Sequence, residues 1–223
     1  MSSEKSISAQ TLKRLPMYLE YLKGAKKRGE TTASARSVAE ALNLGEVQVR
    51  KDLAQVSDGG KPKVGYVINE LIADINEFLG YNNTRDAVLV GAGKLGQALM
   101  SYDGFRTYGL NIIAAFDTDP EKVTGNAKTA DDKQLRVAGK SVMPMEKLSP
   151  FVRRMNVRIG IITVPASAAQ EVCDLLVSCG VLAIWKFAPA HVTAPEGILV
   201  KSENMASSLA LLSKHLEAIE RGE

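Results

Sequence analysis

Apolar residues recur at helical spacing through the first eighty positions and gather into short unbroken runs thereafter, so a helical segment precedes an alternating strand and helix segment. Leu12, Leu15, Leu19 and Leu22 lie three, four and three apart and predict an amphipathic helix from about Ser8 to Lys27 with its stripe inward. Pro16 interrupts that pattern, either kinking the helix or marking its first turn. Ser34 is placed to cap a short helix holding Val38 and Leu42, and Gly45 to form the tight corner after it. A third helix, roughly Glu46 to Val56, carries Val49, Leu53 and Val56 on one side and Val47, Arg50, Lys51 and Gln55 on the other. Asn69 to Leu79 repeats the amphipathic pattern with Leu71, Ile75, Phe78 and Leu79, and Gly80-Tyr81-Asn82-Asn83 reads as a linker.

Beyond the linker, Ala87–Val90, Ile112–Asp117, Val157–Thr163 and Val181–Trp185 have the length and composition of buried parallel strands, with a helix expected from about Ser167 to Ser178. This rhythm predicts an α/β, Rossmann-like doubly wound parallel sheet, preceded by a winged helix-turn-helix domain. The expected organisation is residues 1–80 for the helical head and 84–202 for the sheet domain. Residues 203–223 form a terminal helix with an apolar stripe of Leu209, Leu212, Leu216 and Ile219.

Composition narrows the class: 45% hydrophobic and 24% charged residues describe a globular chain. No apolar stretch approaches the roughly 20 residues of a membrane span, and the start has no hydrophobic leader, so a cytoplasmic protein without membrane contact is expected. Cys173 and Cys179 lie about 240° apart on a helix of 3.6 residues per turn, which favours two buried thiols over a pair. The net charge of +3 is unevenly divided: residues 10–63 carry +5 and residues 64–223 carry −2. A basic head on an acidic body suggests a polyanion partner.

Double-stranded DNA fits that head. The third helix could enter the major groove, where Arg or Lys donates to guanine, Gln pairs with adenine and Val47 meets a thymine methyl. Ser57-Asp58-Gly59-Gly60-Lys61-Pro62-Lys63, followed by a β wing over Val64–Ile68, would lay Lys61 and Lys63 against phosphates. The candidate DNA contacts are Ser34, Arg36, Val47, Gln48, Arg50, Lys51, Gln55, Lys61 and Lys63, in a helix-turn-helix region spanning about Tyr18 to Ser57 and its wing.

In the second segment, the strand ending at Val90 leads into Gly91-Ala92-Gly93-Lys94-Leu95-Gly96 and then a helix, the context that gives a GxGxxG motif meaning. Gly91 serves the turn, Gly93 the approach of a pyrophosphate, and Gly96 helix-sheet packing. Asp117 ends the next strand and begins the Asp117-Thr118 turn, where a carboxylate can accept from ribose hydroxyls and repel a 2′-phosphate, so NAD(H) is expected over NADP(H). Thr163-Val164-Pro165-Ala166 and Phe187-Ala188-Pro189 follow strand ends and are expected to border the nicotinamide. A dehydrogenase would also need an acid/base beside the reacting carbon, and little chain remains for a substrate domain. His215 falls on the exposed side of the last helix and His191 follows the Phe-Ala-Pro loop, so no catalytic or metal-ligating residue is assigned. Sensing fits better than turnover; a small NAD-dependent oxidoreductase is the alternative.

The sequence resembles the redox-sensing transcriptional repressors of the Rex family over nearly its whole length. The resemblance runs through Lys13-Arg14-Leu15-Pro16, Val49-Arg50-Lys51-Asp52-Leu53, Gly65-Tyr66, the glycine motif, Ala115-Phe116-Asp117-Thr118-Asp119-Pro120, Thr163-Val164-Pro165-Ala166, Ala169-Gln170-Glu171-Val172 and Phe187-Ala188-Pro189. It implies a homodimer with exchanged C-terminal helices that binds a palindromic operator when NAD⁺ predominates and leaves it when NADH binds. It also implies that Arg14, Tyr102 and the position of Asn204 couple the two domains. The chain departs from the family pattern at Ser57-Asp58-Gly59-Gly60, at Lys186 where Asn is usual, at Asn204 where Asp is usual, and at Met205, often aromatic. A family member with a weakened or altered nucleotide response is therefore a second alternative.

Overall fold

A computed structural model describes residues 7–123 and 136–222, and the chain divides into two compact units, Met1–Asn83 and Thr84–Glu223. Residues 1–6, part of the start expected to lack a leader, lie outside the described residues.

In the first unit, α1 (Ala9–Lys27) is capped by Ser8, whose side chain accepts from the Thr11 N–H. Leu15, Tyr18, Leu19 and Leu22 are fully buried, whereas Leu12, expected on the same stripe, is 42% exposed. Pro16 lies inside the continuous helix and neither starts nor ends it. Having no N–H, it cannot make the helical bond to the Leu12 carbonyl one turn earlier. After β1 (Thr32–Ala33), Ser34 caps α2 (Ala35–Leu42) in a reciprocal box with Ser37. The corner is made at Asn43, with φ 53°, and not at Gly45, which is the extended N-cap of α3 (Glu46–Val56). Asn is one of the few residues that tolerates this left-handed backbone.

The expected wing strand over Val64–Ile68 is shorter than its apolar pattern suggests. Its strand is only β2 (Tyr66–Val67), antiparallel to β1, and Ile68 already begins α4 (Ile68–Phe78). Lys61 and Gly65 close a tight loop by exchanging backbone hydrogen bonds of 2.9 Å. Leu71 and Ile75 of α4 are buried, while Phe78 is 40% exposed at the helix end.

The second unit comprises β3 (Arg85–Val90), α5 (Lys94–Ser101), α6 (Gly104–Thr107), β4 (Leu110–Asp117), β5 (Arg136–Val137), β6 (Lys140–Pro144) and α7 (Leu148–Met155), followed by β7 (Ile159–Ile162), α8 (Ala169–Ser178), β8 (Ala183–Lys186), β9 (Leu199–Ser202) and α9 (Met205–Arg221). The strand order is β5-β6-β4-β3-β7-β8-β9, parallel throughout except for β5. Val88 and Val90 belong to one apolar layer, and Ala87 and Leu89 to the other, the alternation of a strand covered on both faces. β3 is flanked by β4 and β7, so the order reverses beside it. Ligands of open α/β sheets bind outside the carboxyl ends at such a point.

The elements from β5 to α7 and the edge strand β9 have no counterpart among the expected strands and helices. Cys173 and Cys179 are buried and unpaired with one another, as expected. No helix among the described residues is long and apolar enough to cross a membrane.

Candidate functional site

The loop after β3 is shaped by two glycines. Gly91 has φ +102°, and a Cβ there would stand 2.8 Å from the Thr163 carbonyl carbon; one at Gly96 would stand 2.1 Å from the Gly91 oxygen. Neither obstacle can swing aside, being backbone. The Thr163 hydroxyl lies 2.7 Å from the Gly91 oxygen and 3.1 Å from that of Val90, tying the end of β7 to the loop. A Cβ at Gly93 would meet nothing within 4 Å, although Gly93 lines the cleft. Gly93 is the N-cap of α5 and supplies no side-chain cap. The free amides of that helix start therefore face open space suited to a pyrophosphate.

Asp117, at the end of β4, holds the same loop from the other side. One of its carboxylate oxygens accepts from the Ala92 N–H at 2.7 Å, and the other from the Asp119 N–H at 2.9 Å. A carboxylate offers about four lone-pair positions, so capacity for ribose hydroxyls remains. Lys122 lies 2.9 Å from Asp119 and 3.9 Å from Asp117, a cation that sequence reading did not place here.

The structure gathers most of the expected nucleotide contacts around a cavity of about 750 Å³. Gly91, Gly93, Leu95, Asp117, Thr118, Thr163, Val164, Pro165, Phe187, Ala188 and Pro189 line it. Four expected residues do not. Ala92 and Gly96 are buried beneath the loop, while Lys94 and Ala166 face outward. The missed lining includes Met145 and, on α8, Glu171, Val172 and Leu175. The spacing of those three on one turn was a usable signal; Met145 belongs to a segment without a clear period.

Lys186, at the end of β8, is 4% exposed, and its ammonium donates to the carbonyls of Ala188, at 2.8 Å, and Ala190. It thus fixes the Phe187-Ala188-Pro189 turn from inside. Tyr102, Phe105, Trp185 and Phe187 form a chain of ring contacts with centroids 4.9, 5.5 and 4.8 Å apart. Trp185 also donates to Glu203 at 3.1 Å. Asn204 caps α9 by accepting from the Ser207 N–H at 3.1 Å. His191 and His215 are exposed.

The first unit presents a different surface. Val47, Gln48, Arg50, Lys51 and Gln55 project from the exposed side of α3, and Arg36, Lys61 and Lys63 are exposed as well. Arg50 pairs with Glu46 and Arg36 with Glu40 within their helices. Ser34 is occupied by its cap, accepting from Ser37 N–H at 3.0 Å.

Behind that face lies a buried cluster that periodicity did not reveal. Asp52, on the inner side of α3, accepts from Thr11 at 3.0 Å, from Tyr18 at 2.7 Å and from both Nε and Nη2 of Arg14 at 2.7 and 3.0 Å. Burial alone would push the Asp52 carboxyl up, but the bonds from Arg14, Tyr18 and Thr11 outweigh it and hold it below the usual range. Burial, with the bond to Asp52, pushes Tyr18 up to about 12. The available signal was an acid three residues after Val49 on an otherwise apolar face.

Together these features define a two-part nucleotide-responsive regulator, with a helix-turn-helix head in one unit and a Rossmann-type dinucleotide cleft in the other. The comparisons agree in both parts. Residues 6–54 match the family model "Putative DNA-binding protein N-terminus", and residues 82–190 match "CoA binding domain". The redox-sensing transcriptional repressor Rex of Treponema denticola is 38% identical, over 95% of this chain and 96% of its own. That of Carboxydothermus hydrogenoformans is 39% identical, over 93% and 95%. A solved structure of RSP with β-NAD⁺ and operator DNA superposes with TM-score 0.86 at 29% identity, covering 97% of this chain and 95% of that one. RSP with β-NADH gives 0.83 at 29% identity, covering 97% of each. The chain belongs to the Rex family of redox-sensing transcriptional repressors.

Proposed function

We propose that this protein represses transcription by binding operator DNA through α3 and the Lys61–Lys63 turn when NAD⁺ predominates, and that NADH in the cleft releases it. One observation carries the reading: a single chain holds both a cationic helix-turn-helix face and a cleft whose glycine loop is latched by an acid suited to ribose hydroxyls. It acts in the cytoplasm by binding and not by turnover. A ligand shifts a two-state equilibrium only through different affinity for the two states. Arg14, Tyr102 and Asn204 are the residues we assign to that coupling.

The active form is a homodimer on a palindromic site. Met205, Leu209, Leu212, Leu216 and Ile219 recur along α9 at spacings of four and three, each more than 50% exposed, and no α9 residue is buried. Such a stripe on a helix is suited to a partner. A second reading, a repressor with a blunted NADH response, is favoured by Asn204: its neutral amide caps α9 and cannot supply the ion pair that an Asp would.

The test is fluorescence anisotropy on a labelled palindromic promoter fragment at fixed salt, titrated with NADH, NAD⁺ and NADPH. Release by NADH at much lower concentration than by the others is expected. DNA that stays bound whatever the nucleotide would remove the redox switch and leave the head's assignment standing.

A further inference from the structure

Gln48 occupies the third residue of α3, on its exposed side, where recognition helices usually meet base edges. Its neighbour on α1 is Arg14. A guanidinium has five N–H donors and no acceptor. The Nε/Nη2 edge of Arg14 is bound by Asp52 at 2.7 and 3.0 Å, which leaves the Nη1/Nη2 edge facing Gln48. The Gln48 amide satisfies that edge in one orientation: Oε1 accepts from Nη1 at 2.9 Å and from Nη2 at 3.1 Å. Turned over, the amide would set donors against donors. Both lone pairs of Oε1 are consequently taken, and only the Nε2 hydrogens are left for a ligand.

We propose that Arg14 orients Gln48 as a donor-only reader, so that in the major groove it favours the bases that offer acceptors alone, guanine or thymine, over cytosine, which offers only a donor, and over adenine, which keeps one bond through N7 but sets its N6 donor against Gln48. Guanine O6 and N7 and thymine O4 only accept hydrogen bonds; cytosine N4 only donates, and adenine sets its N6 donor beside a single acceptor, N7. The familiar Gln–adenine pair needs Oε1 to accept from N6, and here Oε1 is committed. Arg14 is in turn held by buried Asp52, so the selection is built into the packing of α1 against α3. Arg14 is a positioning residue in this scheme, acting on the base through Gln48. The proposal rests on the reading of α3 as the recognition helix.

The experiment begins with duplexes selected by the full-length chain from a randomised palindromic pool. Each base pair of a half-site is then replaced in turn, and binding is measured at fixed salt for the native chain, Gln48→Ala, Gln48→Glu and Arg14→Lys. One base pair per half-site should favour guanine or thymine by roughly two- to tenfold, the span of a single net hydrogen bond. Gln48→Ala should flatten that preference. Gln48→Glu should invert it toward adenine or cytosine, because one carboxylate oxygen faces Arg14 and the other remains an acceptor. Arg14→Lys keeps a cation beside Asp52 but loses the planar second edge. With its fold verified by circular dichroism, that variant should admit adenine at the same base pair and change no other position.

An adenine preference at the Gln48-dependent base pair, or profiles that no Gln48 variant alters, would overturn the proposal alone. Failure of the native chain to select any duplex would overturn it together with the recognition-helix reading.

Discussion

The two units hold their functional surfaces in place by opposite means. In the head, α3 is tied to α1 by a charged cluster in which Asp52, 3% exposed, gathers three side chains. In the body, the cleft is shaped by backbone, with Gly91 and Gly96 admitting close approaches and Asp117 bonding to an amide of the loop. A side-chain latch is sensitive to protonation and to loss of a partner. A backbone latch is sensitive to added bulk, and far less to which charges surround it.

The largest expected effect follows from the head's latch. Asp52→Ala should destabilise the head by about 3–5 kcal/mol, the usual result of leaving one member of a buried ion pair alone. Chemical denaturation followed by far-UV circular dichroism should show a head transition displaced to lower denaturant while the body transition stays put. An unchanged first transition would mean that the cluster contributes little beyond its own desolvation. Because the Asp52 carboxyl is depressed, its contribution is complete above the unfolded value of about 3.9 and is lost as pH falls through the lower folded value. Tyr18 acts at the other end: its hydroxyl is raised to about 12, so that contribution is complete below about 10 and disappears as pH rises toward 12. The stability of the head should fall at both extremes, and thermal melts across pH would show it.

The body should respond to ligand instead. At a hundred times its dissociation constant, NADH should stabilise the folded body by about 2.7 kcal/mol. Trp185 is the chain's single tryptophan and meets the cleft-lining Phe187 at a tilt, with ring centroids 4.8 Å apart, so its emission should fall as NADH binds. Gly96→Ala tests the backbone latch directly. A methyl group 2.1 Å from the Gly91 oxygen should cost about 1–3 kcal/mol in the absence of ligand and abolish the fluorescence response. Retained quenching with native affinity would show that the loop can yield.

Asp117→Ala is a subtler probe of the same latch. Removing a hydrogen bond to a charged group is worth about 1.5 kcal/mol, so NADH affinity should fall about tenfold while discrimination against NADPH narrows. Fluorescence titrations with both nucleotides would measure the ratio. A variant that loses affinity for both equally would assign Asp117 to loop geometry alone.

The same contrast explains what the sequence disclosed. The backbone-built site was legible because glycines at fixed spacing after an apolar run have few other uses, and Asp117 follows at a characteristic distance. The helices of the head were equally legible from their period. Asp52 was not, since a carboxylate on the inner face of a helix reads as an interruption until Thr11, Arg14 and Tyr18 of another helix are seen around it. The corner at Asn43 was assigned to Gly45 because glycine is the commoner left-handed residue, yet Gly45 adopts ordinary extended backbone. The wing over Val64–Ile68 was overestimated because its apolar residues serve the start of α4 as well as β2. Lys186, legible only as a departure from the family pattern, spends its charge on the carbonyls of its own loop.

The smallest effect separates the two units at their helix starts. α2 in the head is closed by its own side chains, Ser34 and Ser37 each accepting from the other's backbone N–H at 3.0 Å. α5 in the body begins at Gly93 with no side-chain cap, so an anionic ligand supplies what serine supplies to α2. Ser34→Ala should therefore cost about 1 kcal/mol of head stability whether or not nucleotide is present. Gly93→Ser would raise the stability of the nucleotide-free body by a similar amount if its hydroxyl took over the cap, and the NADH-dependent gain should shrink correspondingly. Paired thermal melts with and without NADH would read both variants. An undiminished NADH gain in Gly93→Ser would show that the open end of α5 is not where the ligand's phosphates are held, and a nucleotide-dependent cost in Ser34→Ala would show that the α2 cap does not act independently of the cleft.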